Sequence, residues 1–161
     1  MNRKIVIELL EKHNKVTFYT YRFVNDSTTE FNKFYDANDN NPKFDADLNN
    51  ILMWIEKIGN TGAFERNFRR EKNRLGALPT DNNKLRLYCY RISDRIVILG
   101  NGGHKKTRTY NEDPLLNDFA ETLFSIGNIL MSLLKKAQIN EYNQELYNLP
   151  KTISIYANEE R

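Results

Sequence analysis

Residues 84–110, KLRLYCYRISDRIVILGNGGHKKTRTY, decide the fold class. Lys84–Ile92 and Arg95–Leu99 are rich in β-branched and aromatic residues, with Ser93-Asp94 between them as a turn, so the pair reads as a β-hairpin. Side chains alternate faces along a strand. On the first strand Leu85, Leu87 and Cys89 belong in a core, whereas Lys84, Arg86, Tyr88 and Tyr90 share the opposite face. Arg95–Leu99 is apolar on both faces, which predicts a central strand. Gly100-Asn101-Gly102-Gly103 is expected to end that strand as a glycine hinge, and His104–Tyr110 to follow as a short polar strand.

Working outward, Val16–Val24 reads as a strand, while apolar Ile5–Leu10 fits a strand or a short helix. Ser27–Asn38 places Phe31, Phe34 and Tyr35 at helical spacing, with Ser27 or Thr28 available as N-cap. Asp36–Pro42 is loop-forming. Asp45–Gly59 is a helix by its stripe of Phe44, Leu48, Ile51, Leu52, Ile55 and Ile58, and Gly59 sits where a left-handed C-terminal residue is wanted. Phe64–Arg74 reads as a basic helix, with Phe64 and Phe68 stacked one turn apart, and Gly76–Asn83 as a turn-rich connection. Asp113 and Pro114 mark the N-cap and first turn of a long helix running to about Ala137. That helix is uncharged from Thr122 to Leu134. Thr152–Tyr156 is a candidate edge strand. This order predicts one α+β domain over residues 1–161: a small, mainly antiparallel sheet flanked by helices, with a long apolar C-terminal helix. Residues 1–137 would be its core and 138–161 a C-terminal extension.

The chain has 161 residues, one cysteine and a net charge of +3. One cysteine excludes an internal disulfide framework, and no run of apolar residues is long enough for a membrane span. Glu8 and Glu11 interrupt what a secretion signal would need, so a cytoplasmic location and no membrane partner are expected. The small net charge is a cancellation. Residues 65–110 hold 12 basic and 4 acidic residues, or +8, between segments of −1 and −4. A basic middle third points to a nucleic-acid partner.

Cations interleaved with rings on the Lys84–Tyr90 face suit unpaired nucleic acid, since guanidinium groups contact phosphates and rings stack on bases. The plainer alternative is an exposed antiparallel face, where these residue types are common. Cleaving RNA without a metal needs a base for the 2′-hydroxyl, cations for the charge building on phosphorus, and an acid for the leaving oxygen. His104, Lys105, Lys106 and Tyr110 are candidates for the proton work. Arg86, Arg91 and Arg108 are candidates to hold phosphate. Arg66, Arg69 and Arg70, on the basic segment, are candidates to lie along a phosphate backbone. The glycines lack the spacing of a P-loop or dinucleotide fingerprint. No His, Cys or carboxylate group has metal-ligand spacing, so no metal or other cofactor is expected. The 113–137 helix is explained by burial or, alternatively, by a homodimer or protein partner.

Read together, Leu85–Tyr110 resembles the carboxyl-terminal half of the RelE/HigB-like toxins of bacterial toxin–antitoxin modules. The match lies in Arg86, in Ile96–Leu99 and in Lys105-Lys106-Thr107; it spans about 45 residues, from Arg66 to Tyr110. The resemblance implies a RelE-like fold and ribosome-dependent, metal-independent cleavage of mRNA. Implied partners are mRNA, the ribosome and a cognate antitoxin of helix-turn-helix type. By position it points to Arg86, Lys106 and Tyr110 as catalytic, with His104, Arg91 and Arg108 in support. The turn reads GNGG where the family carries an aromatic, and the chain after Asp113 is longer than usual. Two other classes stay open: a non-catalytic RNA- or ribosome-binding module on the same fold, and a phage-derived interaction protein.

Overall fold

The computed structural model describes residues 2–104 and 113–156. The chain opens with β1 (Asn2–Lys12) and β2 (Thr17–Phe23), then α1 (Glu30–Asn38) and α2 (Asp45–Thr61). Four strands follow: β3 (Arg69–Lys72), β4 (Leu75–Ala77), β5 (Leu85–Ser93) and β6 (Ile96–His104). After α3 (Pro114–Lys135) come β7 (Asn140–Tyr142), β8 (Glu145–Tyr147) and β9 (Ile153–Tyr156). The fold is α+β, with three helices among the described residues and a seven-stranded sheet in the order β3-β4-β5-β6-β2-β1-β9. Every pairing in it is antiparallel except β2 with β6.

The β5–β6 hairpin forms as expected, with its turn one residue later, at Asp94-Arg95. The glycines do not end β6. Gly102 pairs with Leu87 and Gly103 with Arg86, and the strand runs on to His104. The register slips between Leu87 and Cys89, and a Cβ on Gly102 would lie 1.8 Å from the Arg86 carbonyl oxygen. Glycine here permits close backbone approach in a continuing strand; it is not a hinge.

β6 is central, as its apolar sequence requires, and the sheet is covered on both faces. On one face α1 and α2 pack Phe31, Phe34, Leu48, Ile51, Ile55 and Ile58 against Phe18, Leu87, Cys89, Val97 and Leu99. On the other, α3 lays Leu116, Ala120, Leu123, Ile126 and Leu130 over Tyr21, Tyr88, Tyr90, Ile96 and Ile98. Asp113 caps α3 by accepting from the backbone N–H groups of Leu115 (3.0 Å) and Leu116 (3.2 Å), with Pro114 in the first turn. α3 also carries Asp118, Glu121 and Lys135, and it is not terminal. β9 pairs with β1, and Ile153 and Ile155 are buried with the α3 stripe, so residues beyond 137 build part of the core.

Other boundaries differ from expectation. Thr29, rather than Ser27 or Thr28, caps α1, its hydroxyl accepting from Asn32 N–H at 3.2 Å. α2 runs past Gly59, whose Cα packs against the His13 ring, and stops at Gly62, where φ is +125°. The segment expected as a basic helix, Phe64–Arg74, is a 3₁₀ turn (Glu65–Asn67) followed by β3. Asn73 takes a positive φ of 46° at the turn into β4, whose Leu75 and Ala77 are buried in the α3-side core. Pairing with β4 satisfies one edge of β3, and the burial of β4 outweighs the local helix propensity of the segment. Among the described residues no helix is long and apolar enough to cross a membrane.

Candidate nucleic-acid interface

The two-sided covering of the sheet reassigns the face on which base stacking was expected. Tyr88 and Tyr90 are 0% and 2% exposed beneath α3, closed off from any base. The Tyr90 hydroxyl donates to Asn128 Oδ1 at 2.8 Å, and its ring lies against Gly127. Burial raises the Tyr90 phenol, and the Arg74 charge offsets part of this. Burial likewise pushes the Cys89 thiol up, in keeping with an inert core cysteine.

Arg86 is 3% exposed and ion-paired with Glu71 of β3 at 2.5 Å. Its Nη2 has no hydrogen-bond partner among the described residues. His104, opposite Leu85 in the ladder, turns toward α2, its ring centroid 5.0 Å from that of Phe44. Arg86 shares its face with Tyr88 and Tyr90, and Leu85 sits in the α1/α2 core, so Arg86 and His104 lie on opposite sides of the sheet. These two members of the expected catalytic set do not converge. Lys105, Lys106, Arg108 and Tyr110 lie outside the described residues.

The remaining candidates are at the surface. Lys84 is exposed beside a loop whose backbone N–H groups, Lys84 and Leu85 among them, donate to the buried Asp47 carboxylate. Arg66 stacks on the Phe64 ring at 4.6 Å, and Arg69 donates to Asn83 Oδ1 at 2.8 Å. Arg70 and Arg91 meet in a groove that runs beside the β3–β4 turn and across the end of β5.

That groove is a chain of adjoining hollows. The first, about 420 Å³, is lined by Arg70, Asn73, Arg74 and Arg91, with Tyr90 and Asn128 at its inner wall. The next, about 320 Å³, shares Arg74 and Arg91 and adds Ser93 and Arg95. Four arginines, Arg70, Arg74, Arg91 and Arg95, therefore line two neighbouring hollows that share Arg74 and Arg91. Arg74 is fixed by donating from Nη1 to the carbonyls of Arg91 (3.1 Å) and Ile92 (3.2 Å). Three carboxylates, Glu65, Asp94 and Glu141, also reach the groove. Asp94 is tied to Arg91 at 3.1 Å, and Glu141 accepts from the Ser93 hydroxyl at 3.0 Å. Arg70, Arg74 and Arg95 enter no ion pair among the described residues, which leaves their charge for an anion arriving from solvent.

Of these four arginines, Arg74 and Arg95 carried no individual sequence signal. Both fall within the +8 block, and what assembles them is the β3–β4 turn beside β5. Among the described residues no cluster of His, Cys, Asp and Glu is arranged to hold a metal ion. Comparison with known proteins finds no matching family model, no matching curated protein and no matching solved structure.

Proposed function

We propose that the protein binds RNA, holding a phosphate backbone along Arg70, Arg74, Arg91 and Arg95, and that it acts as the toxin component of a toxin–antitoxin module. The observation that carries the binding step is the arginine-bordered groove, in which three of four guanidinium groups lack an acidic partner among the described residues. A row of planar cations at the surface suits successive phosphates. The cleavage step rests on the resemblance of Leu85–Tyr110 to RelE/HigB-like mRNA endoribonucleases. In that reading Lys106 and Tyr110 supply the chemistry, and mRNA, the ribosome and a cognate antitoxin are the partners.

A second reading, a non-catalytic RNA- or ribosome-binding module on the same fold, is favoured by one observation. Arg86, the family-matched cation, is committed to Glu71 and sealed from solvent.

The two readings separate in one set of measurements. Affinity for a short single-stranded RNA should fall steeply with salt, by about 0.7 in log K per log salt for each phosphate neutralised. The Arg70→Glu/Arg95→Glu variant should flatten that slope by about 1–2. A slope near zero for the unaltered protein sinks both readings. With binding in hand, induced expression in a bacterium decides between them. Growth arrest with cut mRNA, relieved by Lys106→Ala, supports the toxin; RNA bound but intact in the presence of ribosomes supports the module.

A further inference from the structure

The chain of hollows does not stop at Arg95. A third, of about 660 Å³, is bordered by Ser93, Arg95 and Glu141 and continues onto the β7–β8 hairpin at Tyr142, Asn143 and Gln144. Asn143 and Gln144 have φ of 51° and 62° and close the hairpin as a two-residue turn of the kind that matches strand twist. Each strand has three residues, so the two faces are easily told apart. Inward, Leu146 enters the core and Glu141 meets Ser93. Outward, Tyr142 and Tyr147 stand diagonally across the ladder, 72% and 42% exposed, with ring centroids 6.3 Å apart at 53°.

Two tyrosines on the outer face of so small a hairpin contribute little to the core, yet the hairpin is firmly anchored. Leu146 N–H donates to the Tyr19 hydroxyl at 2.9 Å, Gln144 Nε2 to the His13 carbonyl at 3.0 Å, and Lys12 pairs with Glu145 at 2.7 Å. The rings are thus presented on a fixed support, which lowers the ordering cost of using them for binding. Tyr142 lines the hollow that Arg95 also borders, and Tyr147 joins it through its contact with the Tyr142 ring, at the end of a groove whose charge suits phosphates.

We propose that Tyr142 and Tyr147 form a base-stacking platform for single-stranded RNA whose backbone occupies the Arg70–Arg95 groove. This rests on the RNA-binding reading above and specifies its substrate: unpaired bases, because a duplex keeps all but its terminal base faces stacked internally. Stacking on exposed rings is tolerant of base identity, so the platform confers a preference for single strands rather than for a sequence.

The test compares a short oligouridylate with an abasic strand of the same length, using the intact protein. The unaltered protein should bind the base-bearing strand more tightly. Tyr142→Ala/Tyr147→Ala should lose roughly tenfold or more on that strand and little on the abasic one, while Tyr142→Phe/Tyr147→Phe retains both affinities. Equal losses on both strands, or no loss on the base-bearing strand, overturn the platform and leave the groove standing. Binding of neither strand by the unaltered protein overturns the groove and the platform together. Thermal melting checks that the alanine pair is folded. If it is not, Tyr142→Ala alone, at the more exposed ring, carries the same comparison.

Discussion

β5 carries two arginines that end in opposite environments. Arg86 is buried and neutralised by Glu71 of β3, and its role is to be held. Arg91, at the other end of the same strand, borders an open groove with Arg70, Arg74 and Arg95. The tyrosines divide in the same way: Tyr88 and Tyr90 are core, whereas Tyr142 and Tyr147 face solvent on an added hairpin. What separates the tyrosines is the reach of α3 across the sheet, and what separates the arginines is the Glu71 carboxylate that β3 sets against Arg86. A residue's type suggests what it can bind; the covering layer settles whether anything can reach it.

The sharpest way to break this comparison is to remove the carboxylate from the enclosed arginine. Glu71→Ala leaves Arg86 buried without its partner and should cost about 3–5 kcal/mol in denaturant unfolding. Replacing both partners, as Arg86→Met/Glu71→Leu, should recover most of that loss. A cost below about 1 kcal/mol for Glu71→Ala would mean the pair is solvated, and the contrast with Arg91 would vanish.

Next in size is the fit of α3 over Tyr90. A Cβ on Gly127 would lie 2.2 Å from the Tyr90 ring. Gly127→Ala should therefore destabilise by about 1–3 kcal/mol, although alanine gains about 1 kcal/mol in helix propensity. A stabilised variant would show that α3 does not press on β5.

The smallest effect is alkaline. Burial raises the phenols of Tyr19, Tyr21 and Tyr90. In the unfolded chain these groups ionise near about pH 10, while the native state keeps its protons. The native state then binds more protons, so stability holds below about pH 10 and declines as pH rises beyond it. Phenolate absorbance should show these three tyrosines ionising at higher pH in the native protein than in the unfolded chain. A single transition of all nine tyrosines before any loss of structure would contradict their burial.

Much of the fold is legible locally. The β5–β6 hairpin, the α2 stripe and the Asp113-Pro114 start of α3 depend on neighbours within a few residues, and each forms, with the hairpin turn shifted by one residue and the far ends of β6 and α2 extended. Phe64–Arg74 was misleading because its helical spacing of rings was local, whereas its partner, β4, becomes available only when Leu75 and Ala77 are buried under α3. A usable signal for the burial of Tyr88 and Tyr90 was present. A strand apolar on both faces, such as Ile96–Leu99, needs cover above and below the sheet, and the cover extends to its neighbour β5. For β7–β8 the signal is faint: strands of three residues closed by Asn143-Gln144, with no glycine.

By itself, then, the sequence determined the α+β class, the central place of Ile96–Leu99 and the concentration of positive charge in residues 65–110. These follow from side-chain period and from composition, both of which are properties of the chain before it folds. Only the tertiary structure decided which cations stay open to solvent. The β3–β4 turn brings Arg70 and Arg74 to Arg91 and Arg95, while α3 closes over Tyr88 and Tyr90, and Glu71 of β3 holds the buried Arg86. Accessibility depends on contacts between segments far apart in the chain, and no local pattern encodes it.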